Sequence, residues 1–469
     1  MAQWVVSIAG WRRMHRKTFR QTALLCIILM VLIAVSGCAN PDSPPQTTGD
    51  SSPKTLADHA AKGITDMVQN LEDRGVTVEQ LSESSPAAGY LASLVVKYRG
   101  FICVPDADGP DGFAYMYDNA AAVVALSDAG ADWYAQKIAD AMVYAMNHDR
   151  VFSDGRLRNA YMGGDPRGDT VWSKISKAEA VKVAGSWVND NWQEDYYAVS
   201  TSAGNMAWAI IAFCRAYQNA PKGKADEYLA AAEKAAGFAL SLRSDGGGFT
   251  GGYEGWDDNQ IKVSYKSTEH NIDLITAFYT LAGIVRGSDP QKADEYTEAG
   301  DYAKAFVLSM YNSRGHFFYT GTQDDGKTVS RAVLPLDANT WAILALGDGF
   351  KDAGPVMTFV EDNMAFDEGF DFSAGDLDGV WNEGTAQMAV CYHMLGNTEA
   401  YDRVMAYLAG QEAPDGSIVA ADRDGVSTGF YVAGTDVLWE YNRKINLGAT
   451  NWLAFAQLKV NPLKCPTEQ

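Results

Sequence analysis

Residues 267–283 read STEHNIDLITAFYTLAG, and residues 294–312 read DEYTEAGDYAKAFVLSMYN. The first stretch opens on polar groups and then runs apolar, with no charge after Asp273. A helix apolar almost all round is buried on all sides. The second stretch is charged and amphipathic, so it faces solvent on one side and the buried helix on the other. The pair recurs. Buried members are NAAAVVALSDAG from Asn119, NMAWAIIAFCRAY from Asn205, ANTWAILALGD from Ala338, TAQMAVCYHMLG from Thr385 and ATNWLAFAQL from Ala449. Amphipathic members are DWYAQKIADAMVYAMN from Asp132 and DEYLAAAEKAAGFALSLR from Asp226, with shorter ones near Asp352 and Thr398. Residues 56–73 or 86–99 supply the first of them.

The buried starts fall near 118, 205, 271, 337, 384 and 449, mostly 65–90 residues apart with one shorter step. Six buried helices inside six exposed ones predict an all-α fold, an (α/α)6 toroid. A solenoid of helix pairs is the competing layout, but its repeats are shorter and more regular. Over about residues 86–460 the alternation resembles the six-hairpin glycosidase superfamily. The links that follow amphipathic helices are also alike: FSDGRL at Phe152, SDGGGFTGGYEG at Ser244, NSRGHFFYTG at Asn312, DEGFDFSAGDLDG at Asp367 and PDGSIVAADRDG at Pro414. Gly beside Asp or Asn gives tight turns between short β-capable runs. In a toroid these links gather at one end, above the N-termini of the inner helices.

The body of the chain is acidic. The protein has 38 Lys+Arg against 59 Asp+Glu, a net charge of −21, and five of the bases fall in the first 37 residues. The remainder carries 33 bases against 59 acids. Phosphate binding needs a basic surface, so a nucleic-acid partner is excluded. Behind the basic start, residues 21–37 are an uncharged, mostly apolar run, QTALLCIILMVLIAVSG. Val35-Ser36-Gly37-Cys38 resembles the bacterial lipobox, with small residues before a Cys that becomes lipidated. This predicts a signal peptide over 1–37, lipidation at Cys38, a flexible tether over 38–55 rich in Pro, Ser, Thr and Gly, and one toroid domain over 56–469. An uncleaved signal anchor is the alternative. Either way the protein is membrane-held and faces the extracytoplasmic side. Cys214 and Cys391 read as buried thiols, while Cys103 and Cys465 are left open as a bridge. No spaced Cys/His ligand set, phosphate loop or serine-hydrolase signature is present, so neither metal nor cofactor is expected.

Each inner helix opens on polar groups. Asp118-Asn119, Asn205, Asp337-Ala338-Asn339 and Thr450-Asn451 read singly as helix caps. Together, six starts at one ring end line a shared cleft. Four starts bring carboxylates: Asp118, Glu269 with Asp273, Asp337 and Glu383. Carboxylates brought together raise each other's proton affinity, which keeps an acid protonated near neutrality. Glycosidic cleavage needs one such acid and a second carboxylate as base or nucleophile. By resemblance to the superfamily, Glu269 is assigned as general acid and Glu383 as general base of an inverting hydrolase, with Asp337 as rival base. Expected sugar contacts are Asp118, Arg158, Tyr161, Asn205, Trp208, His270, Asp273, Trp341, Trp381, Gln387 and Asn451. Each Trp taken alone is more often core packing, and His270 reads equally as a satisfied core residue. Lys266, His270 and Asn271 are expected to orient Glu269, and Trp381, Asn382 and Gln387 to orient Glu383. The expected partner is a poly- or oligosaccharide. Two other functions fit the same cleft. A polysaccharide lyase would use His270, Asn271, Arg158 and Tyr161. A non-catalytic envelope lipoprotein would bind glycan without turnover.

Overall fold

Fourteen helices fall in the part of the chain that the computed structural model describes, residues 75–104, 112–167, 181–189, 191–432 and 435–465. These belong to one unit, Gln69–Gln469. The apolar run, the lipidation site Cys38, the tether over 38–55 and residues 56–73 lie outside the described residues. Among the described residues, no helix is long and apolar enough to cross a membrane.

A short helix α1 (Val78–Ser84) leads into α2 (Pro86–Tyr98), the first outer helix. The inner helices are α3 (Met116–Asp128), α6 (Ala203–Asn219), α8 (Thr268–Val285), α10 (Leu336–Leu346), α12 (Asn382–Met394) and α14 (Leu447–Leu458). Their outer partners are α4 (Asp132–Asn147), α7 (Lys222–Ser241), α9 (Pro290–Ser309), α11 (Ala353–Met364) and α13 (Thr398–Gln411); the one-turn helix α5 (Tyr196–Val199) lies in a link. Each inner helix packs on the next in chain order, and α14 returns to α3 and pairs with α2. The ring is therefore closed, as the alternation predicts. A polar clasp secures the seam: Gln457 Oε1 on α14 accepts from Ser85 Oγ (2.6 Å) and Ala87 N (3.2 Å) at the start of α2. The strands form only small antiparallel sheets of two or three strands in the links.

One device repeats around the ring. The fourth residue of every inner helix accepts a hydrogen bond from the backbone N–H of an apolar residue in a link. Ile102 N donates to Asn119 Oδ1 (2.8 Å), Leu157 N to Met206 Sδ (3.1 Å), and Phe249 N to Asn271 Oδ1 (2.8 Å). Phe318 N donates to Asn339 Oδ1 (3.0 Å), Phe370 N to Thr385 Oγ1 (3.0 Å), and Ile418 N to Thr450 Oγ1 (3.4 Å). All six apolar residues are buried. Their backbone groups would otherwise lie orphaned in the core, and the helix side chain supplies the partner. Tight turns bring the links in. Gly155 and Gly416 both have φ +91°, and a Cβ on either would strike the backbone of a neighbouring outer helix, at Lys234 or Pro86.

Cys103, Cys214, Cys391 and Cys465 are not joined in disulfides. Cys465 lies against Thr276 and Ala345, toward the C-terminal ends of the inner helices, whereas Cys103 follows the pinned Ile102 at the other end. The bridge left open by the sequence is not formed.

Candidate active site

The second and sixth residues of a helix lie one turn apart on the same face. At the second position the six inner helices present Tyr117, Gly204, Glu269, Asp337, Glu383 and Gly448. At the sixth they present Ala121, Trp208, Asp273, Trp341, Gln387 and Trp452. Rings from four different helices meet: Tyr117–Trp208 at 5.3 Å, Tyr117–Trp341 at 6.0 Å, Trp208–Trp341 at 5.7 Å and Trp341–Trp452 at 5.5 Å. Contacts across the ring place this face on its axis. The sixth positions form a floor, and the second positions form an acidic layer above it.

Tyr117 OH donates to Glu383 Oε1 (2.7 Å) and itself accepts from Trp452 Nε1 (2.7 Å). Glycine makes this reach possible, since a Cβ at Gly448, on the helix between them, would collide with the Glu383 carboxylate. Gly204 does the same for the His270 ring. Burial pushes Glu383 up to about 8; the Tyr117 hydrogen bond opposes that rise, and the charges of Asp118 and Asp337 add to it. Burial alone lifts Asp118 up to about 7. Asp337 rises less, to about 6, because Ala338 N donates to its Oδ1 (2.6 Å). Glu269 is held well above the usual carboxylate range by desolvation, then by the nearby charges of Asp337 and Glu383. Its side chain is still 32% exposed, so it meets the cleft. Asp273, one turn below Glu269, is fully buried. Desolvation, then the charges of Glu269 and Asp337, hold its carboxyl well above the usual carboxylate range, with the Trp208 indole opposing that rise. Burial lowers His270 to about 4, so its imidazole is neutral at pH 7; its Nε2 stands 3.9 Å from Glu269 Oε2.

Several sequence expectations change. Asp118 and Asp337 are not caps: the cap residues are Tyr115 and Pro335, neither of which caps through its side chain. Arg158 does not face the cleft. Its fully buried guanidinium pairs with Asp149 (2.6 Å) and Asp257 (2.5 Å) and donates to Val199 O (3.1 Å). Tyr161 is buried too, stacked on Phe101 at 5.1 Å with its hydroxyl accepting from Arg158 N. Trp208 and Trp341 are floor rather than open sugar platforms, and Trp381 is sandwiched between Phe372 and Tyr441. Asn205 donates to Asn159 Oδ1 (2.8 Å), tying the link before α6. Asn451 donates to the carbonyl of Asp118 (2.9 Å), and Gln387 accepts from Thr340 Oγ1 (2.7 Å). Both support the acidic layer from below. Lys266 does not orient Glu269; its Nζ donates to the carbonyls of Gly246 (3.3 Å) and Gly247 (2.8 Å). Asn271 is one of the link pins. Tyr117, rather than Trp381, Asn382 or Gln387, holds Glu383.

Two cleft residues escaped the sequence reading. Tyr441, from the link before α14, stacks on Trp381, two residues before Glu383. After burial, the charges of Glu383, Asp337, Asp118 and Glu269 hold its proton affinity well above the ordinary phenol range. Tyr197, in α5, lies against Asn205, with Glu269 and Asp118 nearby. Neither belongs to an inner helix, so register offers no signal for them. Register does offer one for Tyr117 and Trp452, through the second and sixth positions. Among the described residues, one acidic set has metal-like spacing, with oxygens of Asp371, Asp376 and Asp378 within 4.8 Å. Its oxygens already accept from backbone: Asp371 from Phe372 N (2.6 Å) and Asp378 N (2.7 Å), and Asp378 from Ser427 N (3.0 Å).

No family model matches the chain, and no curated protein matches it in sequence. Solved structures do match its fold. A glycosidase variant in complex with glucose superposes with a TM-score of 0.52 at 12% identity, covering 82% of this chain and 99% of that one. Cellobiose 2-epimerase from Bacillus thermoamylovorans gives 0.53 at 11% identity, over 78% and 95%. An alpha-amylase from Clostridium perfringens gives 0.50 at 10% identity, over 80% and 97%. The chain therefore shares the (α/α)6 toroid fold of these structures.

Proposed function

We propose that the protein is an extracytoplasmic glycoside hydrolase acting on a neutral poly- or oligosaccharide, with inversion at the anomeric carbon. The observation that carries this reading is the acidic layer: Glu269, Asp337 and Glu383 at the second positions of three inner helices, with the charge of Asp118 on a fourth acting on Glu383, above an aromatic floor. Their proton affinities are all raised but unequally, Asp337 least, so the layer holds both protonated and ionised carboxyls near neutral pH. Glu269 holds its proton at neutral pH and remains open to the cleft, as a general acid must. It delivers that proton to the glycosidic oxygen as the bond to the anomeric carbon breaks. Glu383, fixed by the Trp452–Tyr117 chain, is itself raised to about 8, so it takes a proton from the water that attacks the opposite face only in its ionised fraction; Asp337, raised only to about 6, is ionised at neutral pH and is the rival base. The charge on Asp337 keeps Glu269 protonated. A neutral substrate is favoured because a uronate would meet this set of carboxylates while Arg158 and Lys266 are bound elsewhere. The same facts weigh against a lyase.

The test is turnover on a glycan panel, with the product anomer followed by NMR. Glu269→Gln is expected to lower kcat by ~10²–10⁴-fold while glycan binding persists. Retention of configuration would exclude the inverting pair. Wild-type rates in Glu269→Gln would remove Glu269, leaving Asp337 with Glu383. Binding without turnover of any glycan by the unmodified protein would make it the glycan-binding lipoprotein instead.

A further inference from the structure

The acidic layer does not end at the ring axis. Trp381, at the N-terminus of α12, stacks on Tyr441 with centroids 5.6 Å apart and planes at 22°. Tyr441 in turn lies 5.6 Å from Trp439, two residues back on the same strand and so on the same face. The row runs from a buried ring, through Tyr441, to an indole that is 45% exposed. That strand, Leu438–Tyr441, pairs with Val426–Tyr431 in a hairpin that stands between α13 and α14.

The hairpin is built to hold Trp439 still. Thr428, fully buried, donates its hydroxyl to the carbonyl of Trp439 (2.8 Å) and accepts from Phe430 N (3.1 Å). Phe430 packs edge-on against Phe372 at 6.1 Å, and Phe372 packs on Trp381 at 4.8 Å. Gly429, at φ +74°, lets the strand approach Val333. A fixed backbone presenting an exposed indole loses little entropy when a flat apolar face settles on it. The hairpin carries Asp436 and Glu440 and no base. That charge disfavours an anionic lipid surface or a polyanion. The occupant that fits is a chain of neutral sugar rings already engaged at the acids.

We infer that Trp439 is a distal platform for an extended neutral glycan, whose chain leaves the acidic layer over Tyr441 and along the hairpin. The cleft is thus open-ended on this side, and recognition grows with chain length. This rests on the hydrolase reading only for the identity of the ligand, and the experiment separates the two.

Binding of cello-, malto-, xylo- and manno-oligosaccharides, from disaccharide to hexasaccharide, is measured by calorimetry on Glu383→Gln protein. Turnover of the same sugars is measured on the unmodified protein. In at least one series, affinity is expected to rise roughly two- to tenfold once the chain reaches Trp439. Adding Trp439→Ala abolishes that rise, Trp439→Phe retains most of it, and Asp436→Ala leaves it unchanged. Melting temperatures confirm that each variant folds. Turnover without any rise in affinity, a rise that survives Trp439→Ala, or no binding by any series overturns the inference. A rise lost in Trp439→Ala, in a protein that hydrolyses nothing, upholds it and overturns the hydrolase reading instead.

Discussion

Glu269 and Asp337 occupy the same helical position on neighbouring inner helices, and their environments differ in a backbone hydrogen bond and in the charges that act on them. Asp337 accepts from Ala338 N, and its proton affinity rises least among the acids, to about 6. Its charge then falls on Glu269 and raises it further. A general acid works only while protonated, so activity ends on the alkaline side where Glu269 loses its proton. Asp337→Asn removes the neighbouring charge and lowers the Glu269 value. The alkaline limb of the kcat/KM profile should therefore move to lower pH, with rates at acid pH kept within about tenfold. An unmoved limb would show that Asp337 does not tune Glu269. Collapse at every pH, to the level of Glu383→Gln, would make Asp337 the base. Glycine matters as much as charge here, because Gly448 leaves the gap through which Tyr117 reaches Glu383.

At the scale of the element, the inner helix is a two-sided device. Its second and sixth residues build the axis, and its fourth residue fastens a link. Asn119 shows the fastening in full: it accepts from Ile102 N (2.8 Å) and donates to Ile102 O (3.0 Å), both buried, and to Tyr115 O (2.9 Å). Asn119→Ala leaves Ile102 N and O without partners, each costing about 1–3 kcal/mol. Urea denaturation should show at least one such increment. Asn363→Ala, on the surface of α11, should stay within about 0.5 kcal/mol. A loss at Asn119 no larger than at Asn363 would mean that the links are held by apolar burial alone. The Asn119 loss should also reach the site, since Tyr115 and Tyr117 flank that turn.

At the scale of the whole molecule, charge and anchorage are linked. Outside its first 37 residues the chain carries 33 bases against 59 acids, so an anionic membrane repels it. We propose that retention at a membrane rests on acyl chains, each buried CH₂ contributing ~0.8 kcal/mol, with an uncleaved apolar segment as the alternative. The lipobox-like Val35-Ser36-Gly37-Cys38 favours the first. Cys38→Ala is expected to block lipidation and signal processing and to displace the protein from its normal place, as read by membrane fractionation and mass spectrometry of the N-terminus. Unchanged processing and retention would count against lipidation.

Most of the architecture was legible in the chain itself. Buried and half-buried helices differ in composition residue by residue, so alternation, helix count and closure follow from local pattern. The acids followed as well, since each stands in the first or second turn of an inner helix. Their facing did not. One residue turns a helix by about 100°, so Asn119, Asn271 and Asn339, one or two places from Asp118, Glu269 and Asp337, point to the links instead. Reading each start as a single polar group merged these two faces. Long-range pairing was equally hidden. Arg158 meets Asp257 across 99 residues of sequence, and that contact withdraws it from the cleft. Tyr441 and Trp439 come from a hairpin whose course no periodicity describes. Helix type is set by which neighbours in the chain are apolar, and the sequence states that directly. Which side chains share the axis depends on rotation and on partners far along the chain, and only the closed ring decides that.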